Sequence, residues 1–278
     1  MTIRKVVWLM SAVMLVLVPM LLSQTVNQAV GDAGQVDWTS QVIRATGIGA
    51  PNPAMPVSAQ RAGAIEAAKR VALRNLLETI KGMNLTSETT IRNAMMENDV
   101  IVTKVSGVVR GFTVVDTKYM STGDIEVTVE MPITGALLDA VLPQQMGQAL
   151  GTLSRQQQQM PATQTGVYTG LIVDARGLGV RPAMAPKILD ENNQEVYGSR
   201  YVSREWAVKI GMVGYDKDLN KARNNDRVAG NPLIVKAIKV VGPNKADVVV
   251  SNDVAAQIRN AAANQNFLDK CKVMFIVD

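Results

Sequence analysis

The chain has 278 residues, 47% of them hydrophobic, and a formal net charge of +5; this is more than one average domain and enough for two units that each bury a core without staples. It holds no histidine and a single cysteine, Cys271, which excludes Ser-His-Asp and Cys-His machinery, His-ligated metal and intramolecular disulfides, and leaves no expectation of catalysis, metal or other cofactor. Aromatic residues make up only 4% of the chain, so few rings are available to stack on bases or sugars. With no run of five basic residues either, no nucleic-acid partner is expected, while the small positive excess allows peripheral contact with an anionic membrane surface.

Residues 1–5 carry Arg4 and Lys5, and residues 6–22 run apolar apart from Ser11 and Pro19, the charged and hydrophobic regions of an export signal. The apolar run is at the lower limit for crossing a bilayer and Pro19 interrupts it. Gly31-Asp32-Ala33 offers small residues for processing, so residues 1–33 read as a signal peptide, with retention as an inner-membrane anchor through residues 6–22 as the alternative. No cysteine follows the run, so a lipidated N-terminus is not expected. An exported protein of the periplasm, or associated with the outer membrane, follows.

The first domain is expected over residues 34–142. Residues 36–47 alternate apolar and polar, as a half-buried strand does. They lead into Gly47-Ile48-Gly49, which reads as a turn because a third glycine is missing and Pro51, Pro53 and Pro56 follow. Residues 58–81 predict a helix with Ser58 as cap and Gly82 as stop. Its Ile65, Ala68, Ala72, Leu73, Leu76 and Ile80 fall on one face, an alanine-rich stripe suited to close packing on a sheet. A second helix is expected over 90–98, and residues 100–131 read as two or three strands. In the last of these, Ile125, Val127, Val129 and Met131 point one way and Glu126, Thr128 and Glu130 the other, after the turn Ser121-Thr122-Gly123-Asp124.

The leader, Trp38 on a first strand, Gly47-Ile48-Gly49, the Ala-rich run over 62–77 and the hairpin over 107–131 together resemble the N-terminal domain of the flagellar T protein and of related envelope lipoproteins. The resemblance covers about two-fifths of the chain. It implies a periplasmic or outer-membrane-associated assembly component rather than an enzyme, and it carries over no functional residues.

Residues 143–166, with Gln144, Gln145, Gln148 and four consecutive glutamines from Gln156, are too polar to bury a core and read as a linker that permits relative domain motion. The second domain is expected over 167–278. An apolar strand over 167–175 precedes Arg176-Gly177-Leu178-Gly179-Val180-Arg181-Pro182, and Asp190-Glu191-Asn192-Asn193 marks a hairpin between 185–189 and 194–197. Strands follow over 232–241 and 246–250, then a helix capped by Ser251 or Asn252 with Asp253, then an all-apolar and therefore central strand over 271–277. Cys271, at the start of that run, reads as a buried inert thiol.

The fold expected is α+β: two small domains, each a mostly antiparallel or mixed sheet packed with one main helix and joined by a Gln-rich linker. No catalytic or metal residues are assigned. The one constellation with ligand-binding chemistry is Arg176, Gly177, Gly179 and Arg181, arginines beside glycines in a loop that suits a carboxylate or phosphate. The function expected is non-enzymatic, acting through contacts with an envelope protein partner and through self-association. The alternative is a periplasmic small-anion-binding module or an unusual hydrolase.

Overall fold

A computed structural model describes residues 24–148, 167–263 and 265–278; residues 1–23 of the expected leader and the greater part of the Gln-rich segment lie outside the described residues. The first unit is a five-stranded antiparallel sheet in the order β1-β2-β3-β5-β4, built from β1 (Asn27–Val30), β2 (Gly34–Asp37), β3 (Val42–Gly49), β4 (Thr113–Tyr119) and β5 (Ile125–Pro132). Helix α1 (Val57–Gly82) lies across one face. Because β1 and β2 form a hairpin with the left-handed Gly31 at its turn, the folded unit begins before residue 34. Gly31-Asp32-Ala33 therefore sits inside the hairpin and not at a boundary.

Residues 36–47 do not form one strand. The Asp37 carboxylate accepts from the Thr39 and Ser40 amides, both at 3.0 Å, a local turn that competes with the ladder. Trp38 is thereby placed in the corner after β2. Gly47 and Gly49, read as a turn, instead close β3, on its buried face. A Cβ on Gly47 would stand 2.2 Å from the Ala72 nitrogen and 2.4 Å from the Ala68 oxygen, and one on Gly49 2.1 Å from the Ala64 oxygen. The two glycines and the alanine stripe are thus one device. Helix backbone rests on strand backbone, and no other side chain fits between them.

Helix α1 starts after Pro56, whose fixed φ suits that position, and has no side-chain cap. Ser58 is inside the helix. Thr90 caps α2 (Ile91–Glu97) by accepting from the Asn93 amide. Residues 100–109, within the stretch expected to be strand, belong instead to α3 (Asp99–Val109): the Asn98 side chain accepts from the Val100 amide, Asp99 occupies the first turn, and Val105 and Val109 are buried. Capping and packing here override the β preference of Val100, Ile101 and Val102. The hairpin beyond it forms as expected, with Ile125, Val127, Val129 and Met131 buried on β5. Helix α4 (Ala136–Val141) ends the unit.

The second unit holds a parallel sheet in the order β10-β6-β13-β9: β6 (Leu171–Asp174), β9 (Gly214–Asp216), β10 (Leu233–Lys236) and β13 (Val273–Ile276). The last strand is central, as its wholly apolar sequence requires. A small mixed sheet, β11-β12-β7-β8, comprises β7 (Ile188–Leu189), β8 (Glu195–Tyr197), β11 (Lys239–Val241) and β12 (Asp247–Val249). Residues 232–241 thus supply two strands to two sheets, the chain switching at Ala237 and Ile238, whose amides bond to Asp174 and Val249 respectively. Helices α5 (Arg204–Ile210), α6 (Leu219–Arg223) and α7 (Asn252–Ala263) pack around the sheets. The architecture is α+β in two units.

The units are docked. One apolar core runs through both, from Trp38, Met83 and Leu137 to Tyr197, Tyr215 and Phe275. Tyr215 meets Trp38 edge-on at 5.6 Å and Phe275 at 5.9 Å. The segment after α1 is held on one side by Met184 N–H to Asn84 O and Ala185 N–H to Leu85 O, and on the other by Asn244 N–H to Ser87 O. Arg204 of α5 donates to the Asp139 carboxylate, the Asp139 carbonyl and the Pro143 carbonyl. The start of the expected linker lies against the second unit as well, Gly147 N–H bonding to Ser199 O. Freely moving domains do not fit this interface.

Candidate functional site: a cleft at the carboxyl edge of the parallel sheet

Parallel strands end together, so the loops after β6, β9 and β13 converge on one edge, the place where open α/β sheets form crevices. A cleft of about 320 Å³ lies there. Its walls are Val180, Arg181 and Pro182 after β6, Lys217 after β9, Val277 and Asp278 after β13, and, from the first unit, Val26, Asn27 and Gln28. It is therefore an interdomain cleft.

The loop over residues 176–182 turns through Gly177 and Gly179, both in the left-handed region with φ of 78° and 66°. This geometry separates the two arginines. Arg176 folds back on Asp174, Nε to Oδ1 at 2.9 Å and Nη2 to Oδ2 at 2.6 Å. The Arg176 guanidinium holds the Asp174 carboxyl below its ordinary range, outweighing partial burial. The Gly177 amide donates to Asp278 Oδ1 at 2.8 Å. Arg176 is thus already neutralised by Asp174 and the Gly177 amide already bonded to Asp278, and Gly179 does not line the cleft. Of the four residues expected to bind a ligand, Arg181 alone faces it.

Arg181 is joined there by Lys217 and by Gln28, whose Oε1 is engaged by the Trp38 indole N–H at 2.9 Å. A carboxamide held by its oxygen presents its NH2 as a donor. The cleft thus combines two cations and an amide donor with one carboxylate, Asp278. This chemistry accommodates a small anion but supplies no nucleophile and base pair. Lys217 and Gln28 carry no sequence signal. Strand β9 has three residues, too short for a periodic pattern, and Gln28 belongs to a hairpin taken for leader.

Three further polar groups are buried away from the cleft. Burial pushes the Cys271 thiol up to about 12, so it stays protonated and inert as expected. Arg227 is buried beside it and spends its guanidinium on the Ile210, Gly211 and Cys271 carbonyls, closing the end of α5. Asp247 receives Ser87 Oγ at 2.5 Å across the unit boundary and the Lys187 amide at 2.7 Å. Among the described residues no group of three or more acidic or cysteine side chains is arranged to hold a metal ion.

The two units of this α+β chain form a cleft between them, and the described helices include none long and apolar enough to cross a membrane. Residues 38–131 match the LPP20 lipoprotein family, and residues 170–278 match the second domain of Tp0624 from Treponema pallidum. The first segment lies within the first unit, from the end of β2 to β5, and the second spans nearly all of the second unit. Neither match names the flagellar T protein. No curated protein matches the chain.

Proposed function

We propose that this chain is a non-enzymatic, exported envelope component that works through protein contacts in assembling a surface or flagellum-associated structure. The observation that supports this reading best is the free edge of the first sheet. β4 is seven residues long, is bonded on one side only among the described residues, and is exposed along nearly its whole length. Such an edge offers a row of unpaired backbone groups, a ready template for adding a strand from another chain. The LPP20 lipoprotein match over the same unit supports an envelope setting.

The test is fractionation of the native cell followed by crosslinking. Recovery in the periplasm or outer membrane with a stoichiometric protein partner is the expected result. A free periplasmic monomer without any protein partner would count against it, and recovery in the cytoplasm would overturn export itself.

A second reading, small-anion binding, is favoured by Arg181 and Lys217 facing one cleft. Phosphate, sulfate and small carboxylates would then raise the melting temperature. The Arg181→Ala/Lys217→Ala double variant should abolish that rise, and an unchanged response would exclude the cleft.

A further inference from the structure

The free edge of the first sheet has a pattern that specifies its own partner. β4 and the residue after it read Thr113-Val114-Val115-Asp116-Thr117-Lys118-Tyr119-Met120. Val114 is 39% exposed, Val115 48%, Tyr119 57% and Met120 37%, an apolar content that a strand facing only water does not need. Protected edges carry like charge or turn charges inward to repel another strand. Here the two charges have opposite sign and stand on either side of Thr117.

We propose that β4 pairs antiparallel with β4 of a second copy of this chain, about a two-fold axis at Thr117. This inference rests on the protein-contact reading above and names the partner. In that register Asp116 stands opposite Lys118 of the other copy, and Lys118 opposite its Asp116. Beyond the bulge, Val114 and Val115 lie toward the end of the pairing where Tyr119 and Met120 of the other copy stand. Moving the axis to Asp116 or Lys118 sets a like-charged pair face to face, which destabilises a sheet. Placing it between residues sets each charge opposite an uncharged side chain. The Thr117 register alone satisfies both charges at once, and an isologous contact needs that self-complementarity.

Within one chain Lys118 already touches Glu126 at 3.0 Å and Asp116 at 3.8 Å. Asp116 and Lys118 both pair with outward-facing residues of β5, Thr128 and Glu126, so they share one face and an incoming Asp116 meets an ammonium group already positioned. The bulge between Val114 and Asp116 confines regular pairing to the stretch around Thr117, leaving the apolar side chains to close its ends. The result is one continuous sheet of ten strands from two copies of the five-stranded sheet.

The experiment uses the full chain with Thr117→Cys, since the only other cysteine, Cys271, is buried. Oxidation should link two copies through the axis residue, whereas cysteine at exposed Thr103 on α3 should leave the chain unlinked. Sedimentation should show a dimer for the parent chain. Asp116→Lys should weaken it at least tenfold, and the exchange Asp116→Lys/Lys118→Asp should restore it, with circular dichroism confirming that each variant folds. A parent chain that sediments as a monomer with Thr117→Cys unlinked would overturn the proposal. So would a dimer that survives Asp116→Lys while Thr117→Cys stays unlinked. If crosslinking in the cell at β4 then captures a different protein, self-pairing fails while the protein-contact reading stands; if it captures nothing, both fail.

Discussion

Gly47 shows how one hydrogen in place of a methyl group sets the distance between a strand and a helix. Gly47→Ala forces a Cβ to 2.2 Å from the Ala72 nitrogen, and because the obstacle is helix backbone neither side yields cheaply; we expect a loss of about 2–3 kcal/mol in urea unfolding. Two buried carboxylates predict opposite pH responses. Asp247 has its carboxyl raised, chiefly by burial and against the opposing Ser87 and Lys187 bonds. Its favourable contribution is therefore complete below its unfolded pKa and is lost as pH rises through the raised folded value, so the parent chain should lose stability relative to Asp247→Asn on going from pH 4 to 7. Burial pushes Asp190 up as well, but the Arg259 guanidinium at 2.8 Å and the Gln194 and Asn192 amides together hold it below its ordinary value. Its contribution is present above the unfolded pKa and is lost as pH falls through the folded one. Asp190→Asn should accordingly flatten the acid limb of a stability-against-pH curve.

At the level of single elements, α3 is where local preference and context part. Five of its eleven residues are valines, and Ile101 adds a sixth β-branched aliphatic, yet Asn98 at its start and the buried Val105 and Val109 fix it as a helix. Asn98→Ala should cost about 1 kcal/mol. Gly107, exposed in the same helix with nothing within 4 Å of an added Cβ, should gain about 0.5–1 kcal/mol on Gly107→Ala. Both are read by thermal unfolding. The elements that the sequence places correctly, α1, the β5 hairpin, α7 and β13, each have a strong period or a wholly apolar run. Those it leaves unplaced, such as β9 and α5, are too short for either.

Across the whole molecule the decisive feature is the shared core. Because Trp38 packs on Tyr215 and the segment after α1 is bonded into the second unit, the intact chain should melt in one calorimetric transition. Trp38→Ala should lower that single transition by a cost of about 3–5 kcal/mol. Two separate transitions, with only the first moved, would mean that the units fold independently. Arg204→Ala removes the bonds from α5 to Asp139 and Pro143, and because Asp139 is half exposed only about 1 kcal/mol is expected.

The sequence by itself determined the class of fold, the existence of two units, the alanine face of α1, the alternation along β5, the central place of β13 and the inert burial of Cys271. Each of these rests on hydrophobic period or composition, which a linear chain displays. Tertiary structure alone decided that Gly47 and Gly49 are a packing surface rather than a turn, since their role depends on a helix brought against them from elsewhere in the chain. It also decided that Arg176 is bound to Asp174 while Arg181 faces a cleft with Lys217 and Gln28. Those three residues are far apart in sequence and meet because parallel strands end at one edge and the first unit covers it.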